Sequence, residues 1–243
     1  MPGAGERRVT LAYRIVVPTV RRLVRILCRI HGDELERVPH EGPLIIVANH
    51  INFLEVPILY THLTPRPVTG LAKIENWSHP FFAPLMKLGG AIPVRRGEPD
   101  LGAFRASLAA LAAGKMMAVA PEGTRSGHGR LQKAHAGAVL LALRSGAPLL
   151  PMVHHGGEGF WRNLSRLRRT DFYVVVGNQF EVVTNGKKAT GQVRKQMTDE
   201  IMYQLAALLP PAYRGVYSDL SAATEEYIRF APGVASNLER TRT

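Results

Sequence analysis

With a single cysteine, Cys28, in 243 residues, the chain has no partner for an intrachain disulfide and no thiolate set for a metal cluster. That fits a reducing compartment. A long uncharged run is missing too. A bilayer-crossing helix needs about 20 mostly apolar residues, and the apolar N-terminal segment is broken by Arg14, Arg21, Arg22 and Arg25. No small-residue cleavage site follows those arginines, which speaks against a secretory signal. Acidic residues are scarce, with 19 Asp and Glu against 31 Lys and Arg, and the net charge is +12. Such an excess calls for a polyanionic partner, either nucleic acid or an anionic membrane surface.

Several motifs are absent as well. There is no G-x-S-x-G turn, no G-x-x-x-x-G-K-[ST] loop and no G-x-G-x-x-G after a strand, so the serine-hydrolase, P-loop and dinucleotide readings lose their support. No nucleic-acid recognition motif or aromatic-laced basic strand stands out. Internal repeats, low-complexity tracts and domain linkers are also lacking. What remains is globular in character, with 46% hydrophobic and 21% charged residues. A chain of this length has ample core for one domain.

From residue 44 onward the apolar pattern alternates between strand and helix. Strands are expected at 44–48, 67–72, 91–94, 115–120, 148–153 and 172–177, and helices at 57–63, 80–88, 100–113, 134–145 and 191–209. That order predicts an α/β fold: a mixed, largely parallel sheet flanked by helices. Residues 11–30 keep a helical period through Pro18, which is expected to kink or divide the helix. On a helical wheel Arg14, Arg21, Arg22, Arg25 and Arg29 fall within about 100°, opposite Ile15, Val16, Val20, Leu23, Ile26, Leu27 and Ile30. Two readings fit: a helix docked on the domain, or an amphipathic membrane-associating helix whose arginines meet lipid phosphates. The division expected is 1–35 for this basic segment and 36–243 for the α/β domain.

The stretch Leu44–Glu55, LIIVANHINFLE, carries an imidazole to the end of a buried strand. The carboxyl end of such a strand faces the crevice where ligands bind in open α/β sheets. Asn49 and His50 stand there, and Glu55 follows five residues later, a spacing that needs a turn rather than one helix face. A carboxylate holding one imidazole nitrogen leaves the other free to accept a proton. A purely structural His–Glu pair fits the spacing equally. Arg95 and Arg96 end GGAIPVRRG, and guanidinium forks suit phosphate. In KMMAVAPEGTRS, Pro121 and Gly123 shape a turn, Glu122 is placed to fix an arginine or accept from a substrate hydroxyl, and Arg125 offers a second anion ligand. His154 and His155 are adjacent on an expected strand, so they point to opposite faces and do not suit a shared metal ion.

Taken in order, NHINFLE (49–55), GAIPVRR (90–96), PEGTRS (121–126) and APLLPM (147–152) resemble the four motifs of the lysophospholipid and glycerolphosphate acyltransferases, the PlsC-like family. The likeness runs from about Ile46 to Asn178. It implies that His50 is the catalytic base and that Glu55, one methylene longer than the aspartate usual in that family, orients it. It further implies a substrate-binding set of Asn49, Arg95, Arg96, Glu122, Gly123, Thr124, Arg125 and Pro151. The reaction implied is transfer of a fatty acyl chain from acyl-coenzyme A or acyl carrier protein, as co-substrate, to the free hydroxyl of lysophosphatidic acid. Another lysophospholipid or glycerol 3-phosphate is an alternative acceptor, and a non-enzymatic basic membrane- or nucleic-acid-binding protein is the contrasting class. No metal and no bound cofactor are implied. The location implied is peripheral, on the cytoplasmic face of the cell membrane.

Overall fold

A computed structural model describes residues 11–63, 66, 68–80, 82–95 and 100–241. The first elements among the described residues are α1 (Leu11–Leu27) and β1 (Cys28–His31), followed by β2 (Leu44–Ala48), α2 (Glu55–His62), β3 (Val68–Lys73), α3 (Phe82–Gly89) and β4 (Ile92–Val94). It continues through α4 (Leu101–Ala112), β5 (Met116–Val119), α5 (Gly137–Ser145), β6 (Leu149–His155), α6 (Phe160–Leu164) and β7 (Thr170–Val176). The small strand β8 (Glu181–Val182), the long helix α7 (Gly191–Leu208) and β9 (Ile228–Arg229) complete it.

Seven strands form one sheet in the order β1-β7-β6-β2-β5-β3-β4. All neighbours run parallel except β6 and β7, so the sheet is mixed and largely parallel as the alternation predicts. β2 lies at its centre. All five of its residues are apolar and buried because both faces are covered: Ile45 and Val47 pack with α4, α5 and α7, while Leu44 and Ile46 pack with α1 and α2. Truncating Ile46 to Ala in such a two-sided core costs about 2–5 kcal/mol. Two helices, α4 and α7, start at side-chain caps. The Asp100 side chain accepts the Ala103 N–H at 2.9 Å, and Thr190 accepts from Val193.

The N-terminal segment departs from expectation in two places. α1 is one continuous helix through Pro18, but it ends at Leu27, and Cys28–Ile30 form β1 instead of a last helical turn. Pairing overrides the helical period there, since Cys28 to His31 ladder onto Thr170 to Tyr173 and complete the sheet edge. Cys28 is therefore a buried strand residue. The apolar side of α1 is also split. Val24 is buried with Val20 and Leu27 beside it, whereas Ile15, Leu23 and Ile26 remain 57%, 54% and 60% exposed. Because Val24 and β1 belong to the main core and sheet, the expected boundary near residue 35 falls inside a continuously packed unit. Residues 1–10 lie outside the described residues.

Candidate active site

β2 ends at Ala48, and the next two residues do different work. Asn49 is buried, and its amide is paired with the backbone of β6: Nδ2 donates to the His154 carbonyl at 2.8 Å, and Oδ1 accepts the His154 N–H at 2.9 Å. Asn49 thus ties the end of β2 to β6. His50 turns into the open rim, with its side chain 16% exposed.

The turn that follows is closed by Glu55, the first residue of α2. Its Oε1 accepts the backbone N–H of Ile51 at 3.1 Å and of Asn52 at 2.9 Å, and its Oε2 lies 3.2 Å from His50 Nδ1. The pair at a five-residue spacing therefore meets across a turn, and Pro57 sits in the first helical turn. Asn52 locks the turn further. Its Oδ1 accepts the Leu54 N–H at 2.8 Å and its Nδ2 donates to the Gly157 carbonyl at 2.7 Å. Gly156 enables that loop: at φ +87°, a Cβ would stand 2.4 Å from the Asp171 carbonyl oxygen.

A third side chain joins the pair. His154 Nε2 lies 3.2 Å from Glu55 Oε1, close enough for an electrostatic contact but without hydrogen-bond alignment. Glu55 is only 3% exposed and His154 only 2%. Burial pushes the Glu55 carboxyl up, but contacts with His154, His50 and the Asn52 N–H outweigh it and hold the group at about 2. It is thus a fixed anion. With Nδ1 turned to that anion as donor, His50 keeps Nε2 as an acceptor, the arrangement of a general base.

The second loop is bonded to the first. Glu122 is also buried; its Oε1 accepts the His50 N–H at 3.0 Å and its Oε2 the Gln132 N–H at 2.9 Å. Burial pushes its carboxyl up, partly offset by those two N–H groups. Each oxygen thus accepts a backbone N–H, and Glu122 holds the His50 backbone in place. The His50 carbonyl accepts from Ser126 at 2.7 Å, and Ile51 from Gly127 at 3.0 Å. Gly123, at φ +69°, lets the turn pass against the His135 ring. Thr124 and Arg125 are exposed on this loop.

Arg95 is exposed just past the end of β4, on the same rim as His50 because β2, β5, β3 and β4 run parallel. Three strand spacings put it roughly 14 Å away along the sheet. Its N–H donates to Asp100 at 3.1 Å, leaving the guanidinium out of that bond. Arg96 lies outside the described residues. Pro151 is buried inside β6 opposite Val47, and its Cγ would stand 2.8 Å from a Cβ on Gly177. Pro151 is thus a packed residue of the sheet. His155, on the other face of β6, stacks on Tyr173 at 4.7 Å, so the two histidines diverge as strand geometry requires. Among the described residues no group of three His, Cys, Asp or Glu is arranged to hold a metal ion.

The Acyltransferase family model matches residues 29–155, which contain His50, Glu55, Glu122 and His154. The chain is 26% identical over 208 residues to a 1-acyl-sn-glycerol-3-phosphate acyltransferase of Pseudomonas aeruginosa, covering 82% of this chain and 79% of that one. It is 30% identical over 146 residues to a lyso-ornithine lipid O-acyltransferase of the same species, covering 57% and 55%. The fold is similar to the crystal structure of the 1-acyl-sn-glycerophosphate acyltransferase PlsC from Thermotoga maritima, with a TM-score of 0.58 at 18% identity over 84% of each chain. With more than half of its length matched and the His50 site inside the match, the chain belongs to the acyltransferase family.

Proposed function

We propose that the protein moves a fatty acyl chain from an acyl thioester to the free hydroxyl of lysophosphatidic acid, making phosphatidic acid. The observation that carries this is the His50–Glu55 contact at the rim of an acyltransferase fold. His50 Nε2 removes the hydroxyl proton as that oxygen attacks the thioester carbonyl, forming a tetrahedral oxyanion. The oxyanion collapses with loss of the thiolate, which takes up a proton. Glu55 stabilises the imidazolium formed in between. Arg125 and Arg95 are exposed on the same rim and suited to the acceptor phosphate, so that the hydroxyl is presented to His50. The donor is acyl-coenzyme A or acyl carrier protein.

The acceptor is a membrane lipid, and exposed apolar and basic groups support approach to a bilayer. Among the described residues no helix is long and apolar enough to cross a membrane. α1 nonetheless exposes Ile15, Leu23 and Ile26 beside its arginines. Next to the catalytic turn, Phe53 packs on Trp161 at 5.5 Å between ring centres, Trp161 is 66% exposed, and Leu167 is 95% exposed among Arg162, Arg166 and Arg168. Exposed apolar groups mixed with arginine suit the headgroup layer of an anionic leaflet, which is a peripheral attachment at the cytoplasmic face.

The similarity to a lyso-ornithine lipid acyltransferase supports a second acceptor class, a lyso-aminolipid without phosphate. An acceptor screen separates the two: purified protein is offered lysophosphatidic acid, other lysophospholipids, glycerol 3-phosphate and lyso-ornithine lipid, with products read by mass spectrometry. Phosphatidic acid as the dominant product supports the reading, and acylation of the aminolipid alone rejects it.

A further inference from the structure

A cavity of about 860 Å³ lies beneath the second half of α1, walled by residues 28–40 and by the end of α2. None of its lining residues belongs to the His50 site. Its size falls in the range of small-molecule sites, about 300–1,000 Å³. The floor is apolar, formed in part by Ile30, Leu35, Val38, Leu63 and Met116, and five guanidinium-bearing side chains surround it: Arg21, Arg25, Arg29, Arg66 and Arg169. Two carboxylates, Asp33 and Glu36, also reach it, which leaves positive charge in excess.

That charge is only partly neutralised by the protein: Glu41 acts on Arg66, and Asp171 is shared by Arg29 and Arg169. Among the described residues only Arg29 of the five has a carboxylate within 4.0 Å, that of Asp171. Arg169 donates to the Arg25 and Cys28 carbonyls at 2.6 and 2.7 Å, and Arg66 to the carbonyls of Pro39 and Gly42. Carbonyl partners fix the direction of a guanidinium but do not cancel its charge. Arg21 Nε is buried and has no hydrogen-bond partner. Buried donors are nearly always satisfied, and gathered like charges favour an anion beside them.

We propose that this cavity binds a phosphate-bearing anionic amphiphile, its phosphate held by Arg21, Arg25 and Arg169 and its apolar part on the floor. A forked guanidinium grips phosphate through paired hydrogen bonds. An anion there also pins α1 to the domain, because Arg21 and Arg25 belong to the helix and Arg169 to the residue before β7. The site is separate from that of the acceptor, so its occupancy is a second, lipid-sensing contact that does not depend on which acceptor is acylated.

The test uses the full chain carrying His50→Ala, so that no turnover confuses binding. Sedimentation with phosphatidylcholine vesicles containing phosphatidate, or phosphatidylglycerol at matched surface charge, is compared for Arg21→Gln/Arg25→Gln and for Arg14→Gln/Arg22→Gln. Both pairs remove the same charge from α1, but only the first lines the cavity. The proposal expects the cavity pair to weaken phosphatidate binding about tenfold or more and the control pair markedly less. Equal losses in both pairs reduce the effect to diffuse electrostatics and overturn the site. A thermal-shift arm adds inorganic phosphate or a water-soluble short-chain phosphatidate without vesicles. Stabilisation by the short-chain lipid alone, lost in the cavity pair, identifies a lipid headgroup; equal stabilisation by inorganic phosphate, lost in the same pair, identifies the free anion. No stabilisation by either, with vesicle binding unchanged in the cavity pair, rejects the site outright.

Discussion

Glu55 Oε1 and His154 Nε2 stand 3.2 Å apart in a nearly sealed pocket, while the other oxygen of the same carboxylate faces His50 at the same distance. The acid is held between two imidazoles, one from the turn after β2 and one from β6. Glu55 is one methylene longer than the aspartate usual in the family that the sequence resembles, and its carboxylate lies 3.2 Å from both rings.

His154 is thereby a positioning residue. His154→Ala is expected to lower kcat about tenfold or more with little change in the KM for the acceptor, because the base is misaligned but the rim arginines are untouched. Steady-state kinetics check this. A change confined to KM contradicts the assignment.

Glu55→Asp restores the length usual in the family but leaves His154 unengaged. Drawing the carboxylate back by about one bond is expected to cost up to about a hundredfold in kcat. Pairing it with His154→Ala is expected to add little further loss, since one contact cannot be removed twice. Additive losses in a double-mutant cycle contradict the coupling.

The depressed Glu55 carboxyl makes a statement about stability. Its folded value of about 2 lies below the ordinary 4.5, so its contribution is fully present above pH 4.5 and lost as pH falls through about 2. The size is about 3 kcal/mol. Denaturant unfolding of the wild type and Glu55→Gln is expected to show a gap that is wide at neutral pH and closes as pH falls from 4.5 towards 2. A pH-independent gap contradicts the charge-based account.

The exposed apolar groups beside the catalytic turn give a prediction about surfaces. Trp161→Ser with Leu167→Ser is expected to weaken binding to anionic vesicles severalfold while turnover of a monomeric short-chain acceptor is kept. Flotation assays and soluble-substrate kinetics separate the two. Equal loss in both assigns these side chains to the fold.

Much of this was legible in the sequence because the central strands are buried on both faces. Continuous apolar runs such as Leu44–Ala48 cannot be anything but core, and the polar residues that end them mark the rim. All six expected strands and all five helices of the α/β part have counterparts within a few residues. β1 was hidden because Cys28–Ile30 continue a helical pattern and turn to strand only by pairing with residues 142 positions later. His154 was hidden for the same reason. Periodicity places it on a strand but does not say that β6 neighbours β2, and without that adjacency its contact with Glu55 has no signature. Asn49 and Glu122 were legible as rim polar groups, yet their buried backbone bonds depend on which loops the sheet order brings together.

The central claim is that His50 Nε2 takes the proton from a lipid hydroxyl while an acyl thioester is attacked. Thiol release from acyl-coenzyme A or acyl carrier protein, followed with and without lysophosphatidic acid for wild type and His50→Ala, tests it most directly. The account predicts acceptor-dependent release by the wild type and a loss of about a thousandfold or more in a variant that melts as the wild type does. Release by His50→Ala at a rate near that of the wild type contradicts it.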